Sequence, residues 1–410
     1  MSDELSPLAI SREEFLQRQR AAVKSAAARG LAGLLVWSRM GTDMYWYGDV
    51  YYLTNHHSAV GQLQDLPIWT GRGHNVLVLP VDGDPVLVVD LPDPPDSVHV
   101  DDVRFTLHVP QTVARVLREK RLAGEVLGLT GGETLLASAK DKLETALGGP
   151  LKLTPADDIV ERLRMVKSER ELEFMRHATN VGVGCMQVMM DSIKPGVTEG
   201  SVVGEGLKYF AEHEGYPYDI AVTSGLKSQH YWHATGPPHW DSMRKLERGD
   251  PIHVDLWGPV RGYFTDFARS TVVGGKPNDD QREILEATIT CVEHVLEAFK
   301  PGALVAEIFD RGVTWLADNG WISGGGSDES DLPDFGLFSY CPIFGHGIGV
   351  ALENPWIVEG SQISLEENMT IAVESMLARG TIGANFEHDI IVTADGFEVL
   401  DGACPDRWWA

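Results

Sequence analysis

Cysteine is scarce in this chain. Only four occur in 410 residues, at Cys185, Cys291, Cys341 and Cys404, and no two have CxxC spacing. That excludes a disulfide framework and a thiolate-ligated zinc site as organising elements. Positive charge is also short: 34 Lys and Arg stand against 60 Asp and Glu, for a formal net charge of −26 at pH 7. Such a chain lacks the basic face that nucleic acid or an anionic membrane requires, so neither is expected as a partner. The acidity suits a cationic or zwitterionic small molecule, although solubility alone accounts for it. There is no apolar run of about 18 residues, the length of a membrane-spanning helix. The segment MSDELSPLAISREEF lacks the basic and then apolar layout of a secretory leader, so a cytoplasmic location is expected.

What is present is an ordinary globular composition, 43% hydrophobic and 23% charged, at a length that favours two domains. Residues 12–29 read as a helix ended by Gly30, and LAGLLVW at 31–37 as a buried strand. HNVLVLPVDGDPVLVVD at 74–90 reads as two strands around Asp82-Gly83. VPQTVARVLREKRL and EVLGLTG continue the alternation as helix and strand, which predicts an α/β domain over 1–155. A long helix with a Ser168/Glu171 capping box, stopped at Pro195-Gly196, opens a second domain over 156–410. There, helices at 199–215 and 279–299 are mixed with β hairpins, and the expected class is α+β.

Two carboxylate pairs and one histidine dominate the second domain. Asp255 and Asp266 lie equally far from Pro259–Gly262, and Glu374 and Glu387 equally far from Gly380-Thr381. Residues equidistant from a hairpin turn face each other, about 4.5–5.5 Å apart between Cβ atoms. Facing carboxylates repel unless a cation lies between them. Each acid taken singly reads as a solvated surface residue, and His346 in IFGHGIGV taken singly as structural. Jointly, four carboxylates and an imidazole form a hard, oxygen-rich set that suits Mn²⁺, Fe²⁺, Co²⁺ or Zn²⁺. Four carboxylates can hold two such ions, a pair that activates water and polarises a carbonyl.

Asp255, Asp266 eleven residues later, GHGIG around His346, Val373-Glu374, and FEHDIIVT at 386–393 together resemble the creatinase/aminopeptidase P/prolidase family. The resemblance runs from about 160 to 400, and IVERLRMVKSERELEFMRHA is similar to the family's domain junction. It implies a C-terminal pita-bread catalytic domain with a smaller N-terminal α/β creatinase-like domain. It implies Asp255, Asp266, His346, Glu374 and Glu387 as ligands of two divalent ions, manganese first among Mn, Fe, Co and Zn, with Asp266 and Glu387 bridging. It also implies a homodimer, in which a partner loop often closes the site; NHHSAVGQ at 55–62 reads equally as that loop or as an ordinary surface loop. His239 matches a substrate-binding histidine of the peptidases, with His233 as the alternative. Trp240 and Trp356 are candidate pocket walls, although ordinary core packing is the default reading for each of Tyr231, Trp232, Trp240, Trp257 and Trp356.

The departures from the pattern carry information. Family peptidases have histidines where this chain has Pro342 and Glu353, an Arg where it has Asn385, and an Asp where it has His388. HGIGVALENPW also resembles the family's dimethylsulfoniopropionate lyases, which have a glutamate at the Glu353 position. The expected function is therefore metal-dependent hydrolysis of a C–N bond in a small non-peptide or dipeptide-sized substrate. Glu374 or Glu353 would carry the proton, and His239 would assist catalysis. A metal-dependent lyase and an Xaa-Pro dipeptidase or aminopeptidase are the alternatives. A catalytically inactive binding protein on the same fold is disfavoured, because all five ligand positions are retained.

Overall fold

A computed structural model describes residues 8–39, 48–58, 61, 63–92, 95–216, 219–230, 238–322 and 343–409. His233, Tyr231, Trp232, Pro342 and Cys341 lie outside these residues. The chain forms two compact units, Met1–Arg164 and Met165–Ala410. The sequence placed the division at 155/156, one short helix earlier.

In the first unit, α1 (Arg12–Ala28) begins at an Ser11 cap whose hydroxyl accepts from the Glu14 N–H. It stops before Gly30, at φ 70°. Strands β1 (Gly33–Arg39), β2 (His74–Pro80), β3 (Val86–Val89), β4 (Asp102–Phe105), β5 (Val126–Thr130) and β6 (Lys152–Pro155) form one mixed sheet in the order β4-β3-β2-β1-β5-β6. β2 and β3 pair antiparallel, as the 74–90 pattern predicted, while β1, β5 and β6 run parallel. Helix α2 (Gly48–Thr54) follows β1, and α3 (Val109–Glu119) and α4 (Ala137–Leu147) supply one side of the core. Leu35, Trp37, Val76 and Val78 pack there against Val113, Leu117, Leu127 and Leu143. Helix α5 (Asp157–Met165) falls at the division between the units.

The second unit opens with α6 (Glu169–Ser192). Its capping box is complete: the Glu171 N–H donates to Ser168 Oγ at 3.1 Å and the Ser168 N–H to Glu171 Oε2 at 3.0 Å. The long helix expected after the Ser168 cap is α6, and the residues before the cap form the separate α5, because the cap residue must leave the helical conformation. After α7 (Glu199–Glu212) come β7 (Asp219–Ser224), β8 (Pro251–Val260) and β9 (Tyr263–Val272), a three-stranded antiparallel sheet. Helices α8 (Asp279–Leu296) and α9 (Val305–Asp318) precede β10 (Gly345–Ile348), β11 (Leu352–Trp356), β12 (Thr370–Arg379), β13 (Ile382–Val392) and β14 (Phe397–Val399). These strands form a second antiparallel sheet in the order β11-β10-β12-β13-β14. Ile284, Val292, Ile308 and Leu316 pack against Ile371, Val373 and Ile390. Strands β8, β9, β12 and β13 are buried along nearly their whole length. Both faces of these strands are covered, so a carboxylate placed on either face is removed from water.

One buried histidine gives the first unit an acid-sensitive core. His74 is 1% exposed, and the Trp37 indole N–H donates to its Nδ1 at 2.7 Å. Burial, and then the charge of Arg39, pushes its pKa down from 6.5 to about 4. Above pH 6.5 neither the folded nor the unfolded state holds the extra proton. Between 6.5 and about 4 only the unfolded chain takes it, so stability is lost as pH falls, by roughly 3 kcal/mol in all. His74→Gln retains an acceptor for Trp37 without the titration. Urea unfolding at pH 7 and pH 4.5 should show a smaller acid loss in this variant; equal losses would remove His74 from the account.

Candidate metal centre

The hairpins set the register of the acidic residues. β12 and β13 close through Gly380-Thr381, with Gly380 at φ 62°, and Glu374 lies directly opposite Glu387, as expected. The β8–β9 hairpin differs from expectation. Its turn is Arg261-Gly262, both at positive φ (52° and 89°), and not centred within Pro259–Gly262. Two successive positive φ values are the mark of a type I′ turn, whose twist matches the strands. Asp255 consequently faces Ala268, and Asp266 faces Trp257. The displacement is two residues, and the pleat repeats every two, so both aspartates stay on one face as diagonal neighbours. A diagonal pair sits about 7–8 Å apart, which leaves more room between the carboxylates.

His346 enters from β10, opposite Ala372 on β12. Its predecessor Gly345, at φ 122°, brings the strand so close that a Cβ would lie 1.9 Å from the Ala372 carbonyl oxygen. Only glycine permits that approach. Asp266, His346 and Glu387 each present a ligand atom within 4.8 Å of the others. His346 Nε2 lies 3.7 Å from Asp266 Oδ2. Wholly buried Asp255 is 3.4 Å from the Asn385 amide nitrogen.

The electrostatics of this group are one-sided. Burial raises Asp266 and Glu387 well above the usual carboxylate range, and their neighbours raise them further: Asp255, Asp389 and Glu374 act on Asp266, and Asp266 comes first among those acting on Glu387. Burial and then Asp255 push Glu374 up to about 8. Burial pushes His346 down to about 4, so its imidazole is neutral at pH 7 and offers a lone pair. Among the described residues, no Lys or Arg forms an ion pair with Asp266, Glu374 or Glu387. Hard oxygens, one neutral imidazole and no counter-charge on these three acids make a donor set that fits divalent cations.

Sequence reasoning passed over Asp389. It shares the β13 face with Glu387, and its carboxyl accepts from the Thr179 and Thr265 hydroxyls at 3.0 and 2.9 Å. Burial and then Asp401 push it up to about 8. Its spacing of two from Glu387 was a readable signal.

The remaining candidates have defined partners. His239 Nδ1 bonds to Asp219, which lies on the β7–β8–β9 row that continues through Trp257 to Asp266. Trp356 is tilted against the His346 ring at 4.9 Å between centroids, and Trp240 is half-buried. Buried Glu353 takes a 2.6 Å bond from the Lys167 ammonium.

A model of metallopeptidase family M24 matches residues 173–394, which include all five acidic and histidine positions. This chain belongs to family M24. An Xaa-Pro dipeptidase of Pyrococcus furiosus is 26% identical over 250 residues, covering 60% of this chain and 65% of that protein, so the match spans less than two thirds of the relative. In three dimensions the chain is similar to the prolidase of Pyrococcus horikoshii OT3, at TM-score 0.74 and 19% identity over 94% of this chain and 98% of that one. It is similar also to the dipeptidase PepE of Mycobacterium ulcerans, at TM-score 0.74 and 24% identity over 97% and 98%. These likenesses establish the α+β, pita-bread-class fold of the M24 chain.

A cation that relieves carboxylate repulsion must stabilise the fold. Manganese added to chelator-stripped protein should raise the unfolding temperature by several degrees, since about 1–3 kcal/mol follows from ligand at 10–100 times its Kd. Asp266→Asn removes one repelling charge. Its metal-free form should melt no lower than the wild type, and its response to manganese should be largely lost. A full manganese response in Asp266→Asn would exclude Asp266 as a ligand.

Proposed function

We propose that this M24 chain is a metal-dependent hydrolase that cleaves a C–N bond in a small or dipeptide-sized substrate. The observation that carries the reading is the buried Asp266, His346 and Glu387 group, with Glu374 in register opposite Glu387. Asp255, Asp266, His346, Glu374 and Glu387 would hold two divalent ions. Such ions supply activation of water and polarisation of a carbonyl.

The chain's own groups do the rest. Glu374 accepts the proton released in the attack at a carboxylate oxygen and returns it to the leaving nitrogen. Asp219 fixes the His239 ring, which binds the substrate carbonyl from the β7 side of the site. Trp356, packed on His346, and Trp240 bound the substrate. The proton-carrying role goes to Glu374 over Glu353, because the Lys167 ammonium already occupies Glu353 Oε1. That ion pair stands where peptidases carry a histidine, and it supports a substrate other than an ordinary Xaa-Pro peptide. Manganese as the native ion, a homodimer and a cytoplasmic location belong to the same proposal.

A second reading, an Xaa-Pro dipeptidase, is favoured by the naming of the Pyrococcus furiosus relative. Product analysis with the manganese-loaded protein on Xaa-Pro dipeptides and small amides separates the two. The first reading expects kcat/KM on Xaa-Pro below roughly 10⁴ M⁻¹s⁻¹. A higher value moves the assignment to the dipeptidase.

On the true substrate, Glu374→Gln should lower kcat by about a hundredfold or more, while Glu353→Gln keeps kcat within about tenfold of the wild type. The reverse order would return the proton-carrying role to Glu353.

A further inference from the structure

Two of the clustered residues sit on strands of different sheets: Asp266 on β9 and Glu387 on β13. No backbone ladder joins these strands, so no ladder sets the spacing of their carboxylates. A closed ring of buried polar contacts joins them instead. The Asp266 N–H donates to the Asp389 carboxyl oxygens at 3.2 and 3.3 Å. The Asp389 N–H donates to Asp401 Oδ1 at 3.1 Å. Asp401 Oδ2 accepts from Arg269 Nη2 at 2.5 Å. Arg269 Nη1 then donates to the Glu387 carbonyl oxygen at 2.6 Å. Arg269 is on the same strand as Asp266, and Asp389 on the same strand as Glu387, so the circuit returns to its start.

Arg269 and Asp401 are locked from outside the ring. Arg269 and Asp401 are both wholly buried. The Arg269 guanidinium lies 4.7 Å from the Phe386 ring and 5.4 Å from the Phe267 ring, and its Nε donates to the Pro405 carbonyl at 3.1 Å. His388 Nδ1 lies 2.9 Å from Asp401 Oδ2. Asp401 comes from the segment beyond β14, after the strands that carry the acids.

We infer that Arg269 and Asp401 are positioning residues that set the separation of Asp266 and Glu387, and that the segment after β14 is in this way part of the metal centre. The inference rests on the metal reading of the preceding section. A guanidinium held between two strands has five fixed donors, and it resists shear between the sheets in a way a single hydrogen bond does not. Groups in this supporting position change metal affinity by about 10- to 100-fold when altered.

The test uses manganese(II) as the probe, titrated into metal-stripped full-length protein against a chromophoric chelator. Circular dichroism and thermal unfolding report the fold. Asp401→Asn keeps size and loses the charge facing Arg269. It should fold and bind manganese about 10- to 100-fold more weakly. Asp406→Asn alters a partly exposed carboxylate 3.4 Å from the same guanidinium and should stay within about twofold of wild type. A folded Asp401→Asn with wild-type affinity overturns the proposal, as does an equal loss in both variants. If Asp401→Asn does not fold, Arg269→Lys takes its place, and wild-type affinity in that variant overturns the proposal equally. A wild-type protein that binds no manganese, cobalt or zinc overturns the metal reading itself, and this inference with it.

Discussion

Repulsion among buried carboxylates is the constraint around which the second unit is arranged. Asp255, Asp266, Glu374, Glu387 and Asp389 are all at most 7% exposed. Three of them, Asp266, Glu374 and Glu387, are raised by others of the five beyond what burial alone does, and the one histidine among them is neutral at pH 7. A fold that tolerates this must either protonate its acids or bind cations. The two outcomes leave the same backbone with different net charge, so the cation and the fold are thermodynamically linked.

The rest of the unit reads as means to hold the acids together against that repulsion. Type I′ geometry at Arg261-Gly262 puts Asp255 and Asp266 on a diagonal, and Gly380 puts Glu374 against Glu387. Gly345 lets β10 bring His346 in at a separation no side chain would allow. Ser270 crosses between the sheets, accepting from the Asn385 N–H at 2.9 Å and donating to its carbonyl at 2.8 Å. Membership of family M24 is consistent with all of these devices, since every one falls within or beside the matched segment.

Lys167 illustrates how the same sequence position can mean different things. It immediately precedes the Ser168 cap of α6 and reads as part of a helix start. In the structure its ammonium reaches Glu353, 186 residues away in the chain, and satisfies a buried carboxylate there. A buried charge without such a partner costs several kcal/mol. The lysine therefore helps make a glutamate at that position compatible with the fold.

The candidate site was legible in the chain to the extent that its geometry is local. Glu374 and Glu387 share one hairpin, and counting from a two-residue turn places them opposite each other because the pleat has a period of two. The same count for Asp255 and Asp266 missed the turn by one position yet kept the face, for the same reason. The capping box at Ser168 and the β2–β3 hairpin were readable from contacts spanning few residues. What only the tertiary structure decided is everything that joins distant segments: the partner of Glu353, the union of Asp219 with His239, and the ring from Asp266 through Asp389, Asp401 and Arg269 to Glu387. Local rules set which way a side chain points along its own strand. They carry no information about how far one sheet stands from another, because that distance is settled by packing and hydrogen bonds between residues more than a hundred positions apart.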